Sequence, residues 1–184
     1  SGMRAALALA DMGVDSFLIE KENVLGGNLR RLHSLFPSDV KASDVIEPLI
    51  EQVEENPHIT VYTGAELIEV EGFIGNFAAK IDTEDGPKDL EFGTVIIATG
   101  FREIDLGERY GRGKSPNIMT QTELEEKLRM GEAPRTKKVV MINCAGSMDE
   151  ERPYCCRIGC GVSIKNAKIL KEANPGADIT ILYI

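Results

Sequence analysis

Apolar positions along the chain follow two rhythms, one of helical and one of strand period. Residues 1–13, SGMRAALALADMG, form an Ala- and Leu-rich run that reads as a helix, and Gly13 is placed to end it. The stretch VDSFLIE, residues 14–20, is apolar, of strand length and ends on an acid. A Gly26-Gly27 loop leads into RRLHSLFPS. Beyond it Ser43 or Asp44 can cap a helix to about Glu55, with Val45, Leu49, Ile50 and Val53 on one face and Asn56-Pro57 as its stop.

From His58 to Thr99 the period shortens. The stretches HITVYTG, AELIEVEG, FAAKIDT and, past a turn at Asp85-Gly86-Pro87, KDLEF predict a small antiparallel excursion that returns to a buried parallel strand at GTVIIATG, residues 93–100. Residues 101–137 are turn-rich and charged, with one helix at QTELEEKLRM. A second buried strand, KKVVMIN (137–143), is followed by a cysteine-bearing loop, an amphipathic helix at SIKNAKILKEA and a closing strand at ADITILYI. Helix alternating with buried strand is the rhythm of an α/β fold. The expected division is residues 1–105 as a first Rossmann-like domain carrying a β-meander, 106–136 as a linker or crossover, and 137–184 as the start of a second Rossmann-like half. There is no repeat of the short solenoid kind.

Composition narrows the function. The 184 residues are 42% hydrophobic and 28% charged, enough to bury a core. A net charge of -9 and a pI near 4.8 argue against nucleic acid or an anionic membrane surface as the main partner. No run approaches the roughly 18 to 20 apolar residues of a membrane span, and the start lacks a signal-peptide pattern, so the expectation is a cytoplasmic protein with no membrane span. The four cysteines all lie between residues 144 and 160. Such clustering favours a metal centre or redox chemistry over a stabilising disulfide framework.

Dinucleotide sites of this fold place glycines where the first strand turns into a helix, because the pyrophosphate approaches the backbone there and rests on the helix N-terminus. Gly2 is placed as the third glycine of such a G-x-G-x-x-G loop. Glu20 follows 18 residues later at the end of the next strand, close to the spacing at which an acid meets ribose hydroxyls. The plainer reading of Glu20 is a solvated acid beside Lys21 and Glu22. Gly2 and Glu20 together point to a cofactor more firmly than either alone.

The segments EKENVLGGNLRRL and TVIIATG are similar to the paired signatures of FAD-dependent pyridine nucleotide-disulfide oxidoreductases. The resemblance implies an incomplete FAD/NAD(P)-binding domain whose first strand and first two glycines lie outside this sequence, so that the isolated chain is expected to bind FAD weakly or not at all. It assigns Gly2, Glu20, Lys21, Gly26, Gly27, Asn28, Ala98, Thr99 and Gly100 to the FAD neighbourhood, and Leu67 to a backbone contact with adenine.

After KKVVMIN the family's second glycine fingerprint is replaced by Cys144-Ala145-Gly146-Ser147, and three further cysteines, Cys155, Cys156 and Cys160, precede the helix. This stretch resembles heterodisulfide reductase A subunits, in which a Q-C-V-G-S-R-D turn and a Y-C-S-R-V-C-C run supply ligands to a [4Fe-4S] cluster. Cys144, Cys155 and Cys160 match those positions. Gly159 stands where the family has cysteine and Cys156 where it has serine, so a cluster here would need altered ligation. Four thiols also suit zinc, and adjacent Cys155 and Cys156 suit thiol-disulfide chemistry. The ferredoxin-like cysteine motifs that the family commonly carries before the ATG strand are absent, as is the cysteine that often follows Phe36-Pro37. His33 and His58 read as surface and structural residues.

Taken whole, the resemblance implies an FAD- and iron-sulfur-dependent electron-transfer subunit. Its partners would be other subunits of a heterodisulfide reductase-like redox complex and a ferredoxin or NAD(H)-linked donor. An open sheet edge leaves room for a homodimer. The rivals are a thioredoxin-reductase-like enzyme and a zinc-stapled interaction domain.

Overall fold

A computed structural model describes residues 1–183. The chain divides into two compact units. One comprises Ser1–Arg30 with Asp44–Phe101, and the other Arg31–Ser43 with the chain from Arg102 onward.

In the first unit, helix α1 (Gly2–Ala10) leads into strand β1 (Ser16–Ile19), and helix α2 (Ala42–Glu54) leads into strand β2 (Ile59–Tyr62). Strands β1 and β2 pair in parallel with Ser16 opposite Ile59 and Ile19 opposite Tyr62. Met3, Ala6 and Ala10 of α1 recur at helical spacing and meet Ile46, Leu49 and Val53 of α2 and Ile59 of β2 in one apolar core. The buried face of α2 is thus Ile46, Leu49 and Val53; Val45 and Ile50, expected on it, are only half-buried.

The same unit carries the meander in the expected order. Strand β3 (Glu66–Phe73) pairs antiparallel with β4 (Asn76–Asp82), and β4 with β5 (Lys88–Phe92). Ala79, Ile81 and Leu90 alternate onto its buried face. Gly86 closes the β4–β5 turn at φ +102, donating its N–H to Thr83 O at 2.8 Å.

One expectation is overturned. Residues 94–100 form no strand, and Val95, Ile96 and Ile97 are exposed by 46%, 56% and 82%. Apolar residues of a parallel strand become buried only when strands flank them and helices cover both faces. Among the described residues nothing pairs with this segment.

The second unit contains helix α3 (Gln121–Arg129), strand β6 (Lys138–Ile142), helix α4 (Gly159–Ala173) and strand β7 (Asp178–Leu182). Strands β6 and β7 pair in parallel, with α4 as the crossover between them. Leu124 and Leu128 of α3, Met141 of β6 and Leu170 of α4 form its apolar core. The helix of this crossover begins at Gly159, four residues earlier than the Ser163 that the apolar pattern suggests, so Cys160 lies in its first turn and not in the preceding loop.

Candidate functional site

Glu20 leaves β1 with its backbone fixed on both sides. Its N–H donates to Tyr62 O at 2.8 Å and its carbonyl accepts from Ala65 N–H at 3.0 Å. Its carboxylate accepts the Glu22 N–H at 3.1 Å. Lys21 is paired with Glu66 on the surface. Leu67 lies in β3, two residues past Ala65 and beside a register break between Leu67 and Glu69.

The two signature loops meet. Gly26 and Gly27 have φ of +121 and +50, and a Cβ at Gly26 would fall 2.7 Å from the Arg30 side chain, so this turn favours glycine on two grounds. The turn delivers Asn28, whose Nδ2 donates to Phe101 O at 2.6 Å across 73 residues of sequence. Gly100, at φ +71, lies against the same amide group. At the start of α1, a Cβ on Gly2 would lie 3.4 Å from both Leu18 Cδ1 and Ala98 Cβ. Ala98 thus lies close to α1 and β1, with Thr99 exposed beside it.

These positions fit a dinucleotide in kind. A helix N-terminus and a glycine turn present unencumbered backbone, and a strand-end carboxylate can accept hydroxyl donors.

In the second unit β6 ends at the cysteine loop. Cys144 has φ +59, a left-handed conformation in which a fingerprint glycine would be at ease, and Met148 and Arg157 share it at +58 and +65. Gly146 is crowded, since a Cβ there would meet Leu106 at 2.8 Å. The Cys155 sulfur accepts from Arg157 N–H and the Cys156 sulfur from Gly159 N–H, each at 3.3 Å. All four thiols are free. Cys144 is half-buried, whereas Cys155, Cys156 and Cys160 are exposed. Among the described residues no three His, Cys, Asp or Glu side chains come together in a metal-holding group. The donor set is therefore suitable in chemistry but is not gathered.

Two buried polar assemblies in this unit escape the sequence patterns. Lys165 and Glu125, 3% and 1% exposed, form an ion pair. Lys165 also donates to Ser34 O at 2.6 Å, and Glu125 accepts the His33 N–H at 2.9 Å. His33 is half-buried and its Nδ1 has no partner, unlike the surface residue expected. The second assembly joins Asn143, Ser163, Gln121 and Asn166. His58 lies at the surface, its Nδ1 2.7 Å from Asp15 Oδ1.

Parallel βαβ units with a glycine turn and a strand-end acid define the Rossmann-like class of dinucleotide fold. Within that class, residues 1–143 match the model of the pyridine nucleotide-disulphide oxidoreductase family, and the chain belongs to it. The whole chain is also 28% identical, over 280 aligned residues, to the first A-type iron-sulfur subunit of the CoB–CoM heterodisulfide reductase of Methanopyrus kandleri, covering 42% of that protein. It is 25% identical to the A-type subunit of the ferredoxin/F420H2-dependent CoB–CoM heterodisulfide reductase of Methanosarcina acetivorans, covering 35% of it. The chain therefore spans less than half the length of these relatives. The aligned span exceeds the 184 residues of the chain, so within it the M. kandleri relative holds segments that this chain lacks.

Among solved structures, L-proline dehydrogenase from P. horikoshii superposes with a TM-score of 0.56 at 18% identity, covering all of this chain and 33% of that one. Bacillithiol disulfide reductase from Bacillus cereus gives 0.54 at 18% identity, covering 97% of this chain and 54% of that one. At such identity the likeness is one of fold. No helix among the described residues is long and apolar enough to cross a membrane.

Proposed function

We propose that this chain is the flavin-binding part of an FAD- and iron-sulfur-dependent electron-transfer subunit of a heterodisulfide reductase-type complex. The observation that carries the reading is the Asn28–Phe101 hydrogen bond, which joins the glycine loop to the end of the ATG segment within the unit that holds Glu20.

In this reading Glu20 accepts the adenosine ribose hydroxyls. The N-terminus of α1 at Gly2 and the Gly26-Gly27 turn receive the diphosphate. Leu67 offers its backbone to adenine, Lys21 lies at the rim, and Ala98, Thr99 and Gly100 close over the cofactor with Asn28 holding that closure. A bound flavin supplies exchange of electrons singly or in pairs. The four cysteines would hold a [4Fe-4S] cluster, for which the 144–158 loop has to draw the thiols together. The partners are other subunits of the complex and a ferredoxin or NAD(H)-linked donor, and the setting is the cytoplasm.

A second reading draws on the ungathered, free thiols: Cys155 and Cys156, each with an N–H directed at its sulfur, would cycle between dithiol and disulfide. Anaerobic purification and reconstitution with ferrous iron, sulfide and FAD, followed by absorption spectroscopy and iron, sulfide, zinc and flavin analysis, separates the two. About four iron and four sulfide per chain, lost in Cys144→Ala or Cys160→Ala, supports the cluster. Flavin without iron moves the reading to thiol-disulfide chemistry, and zinc without flavin overturns both.

A further inference from the structure

The cysteine loop starts and ends on side chains that bond to each other in the interior. Asn143 immediately precedes Cys144, and Ser163 lies one helical turn beyond Cys160 in α4. Ser163 Oγ donates to Asn143 Oδ1 at 2.5 Å, and both residues are buried, at 0% and 7% exposure. Gln121, the first residue of α3, donates its Nε2 to Ser163 Oγ at 3.2 Å and accepts from Asn166 Nδ2 at 2.8 Å. Asn166 is also fully buried.

Placing three small polar side chains in an interior is costly unless they bond to one another, and an apolar residue of similar size would be cheaper there. The neighbouring core of this unit, formed by Leu124, Leu128, Met141 and Leu170, is apolar. What the polar set adds is direction, since a hydrogen bond fixes the relation of two backbones more narrowly than apolar contact does.

We infer that Asn143 and Ser163 are positioning residues that set the separation between Cys144 and Cys160, with Gln121 and Asn166 holding Ser163 in its bonding orientation. The inference deepens the cysteine-site reading above and rests on it for its functional meaning. The loop between the two cysteines contains Met148 and Arg157 at positive φ and three exposed thiols across it and the α4 start, so it is free to rearrange while its ends stay fixed.

The test uses the full chain with Cys155→Ser and Cys156→Ser, carrying nitroxide labels on Cys144 and Cys160, and reads the width of the distance distribution by double electron–electron resonance. The expected result is a narrow distribution in this background and in Asn143→Asp, which keeps the acceptor oxygen. Ser163→Ala and Asn143→Ala each broaden it at least twofold, and the double variant is no broader than either. Ile179→Val, a core change in the same unit toward the other end of the β6–β7 pair, leaves the width unchanged. An equally narrow distribution in Ser163→Ala, or a broad one before any clamp residue is changed, overturns the inference. Iron and sulfide analysis of the unlabelled four-cysteine chain reports separately on the cluster, so loss of that reading and loss of the clamp are distinguishable.

Discussion

Glu123 shows how much one side chain organises. Its Oε2 accepts the Thr120 N–H at 2.7 Å while Thr120 Oγ1 accepts the Glu123 N–H at 3.2 Å, a capping box at the start of α3. Arg112 closes on it with two parallel bonds of 2.9 and 3.0 Å. The hydrogen bond from Arg112, together with the Thr120 N–H, holds the Glu123 carboxyl down at about 2 against an ordinary value of 4.5. A carboxyl depressed on folding contributes stability that is complete above its unfolded value and fades as pH falls toward the folded one. Urea melts should therefore show stability falling from pH 4.5 toward 2, with a shallower fall and lower neutral-pH stability in Glu123→Gln. The effect is modest because the ion pair is partly in solvent.

The buried pair behaves differently. Lys165→Met leaves the buried Glu125 without its cation, which should cost about 3–5 kcal/mol in denaturant unfolding, while adding Glu125→Leu should restore most of it. No sequence pattern distinguishes Glu125 from the exposed acid of a solvated helix face: Glu123, Glu125 and Glu126 share one short helix and differ only in which direction the fold turns them.

At the scale of elements, most of the architecture is legible because apolar period and turn chemistry agree. Helices α1, α2 and α3, the meander and strands β6 and β7 fall where alternation and Gly or Pro punctuation place them. The exception is instructive. Residues 94–100 are as apolar as any strand in the chain, yet burial is a property of neighbours and not of composition. Ile81→Ala, at a fully buried position of β4, should cost about 2–5 kcal/mol. Ile97→Ala, 82% exposed, should change stability by no more than about 0.5 kcal/mol. Equal costs in thermal or denaturant melts would mean that residue 97 is covered in solution.

The candidate site is legible to a similar depth. The glycines at positive φ and the acid at the end of β1 can be picked out locally, because few residues tolerate positive φ and the apolar run of the strand stops at Glu20. The Asn28–Phe101 contact could not be read locally, since its partners are 73 residues apart.

Helix α4 adds a second lesson at this scale. Gly161, Lys165 and Lys168, spaced four and three apart, form one stripe. The Phe36 ring lies where a Cβ on Gly161 would be, 2.5 Å from its Cε1; Lys165 holds Ser34 O; and Lys168 meets Asp39 at 2.5 Å. Phe36 is 55% exposed, so its ring can swing aside for a Cβ at position 161, and Ala gains about 1 kcal/mol of helix propensity over Gly. Gly161→Ala should therefore change stability by no more than about 1 kcal/mol in melts, and a larger loss would mean that the ring is held in place against α4.

For the whole molecule, family membership and the Rossmann-like class rest on the parallel β1–β2 pair and the match of residues 1–143, both anticipated by the Gly2, Glu20 and Gly26-Gly27 signals. The assignment of residues 31–43 to the second unit was not visible in the sequence, because it depends on the stripe of α4 described above. Those thirteen residues leave the first unit after Arg30 and return to it at Asp44, and the chain departs again after Phe101. The polypeptide is therefore laced through both units, so no single scission frees either one whole. A protease nick after residue 101 would leave the fragments non-covalently stitched by the 31–43 stretch of sequence, and they should co-migrate until that stitch is undone.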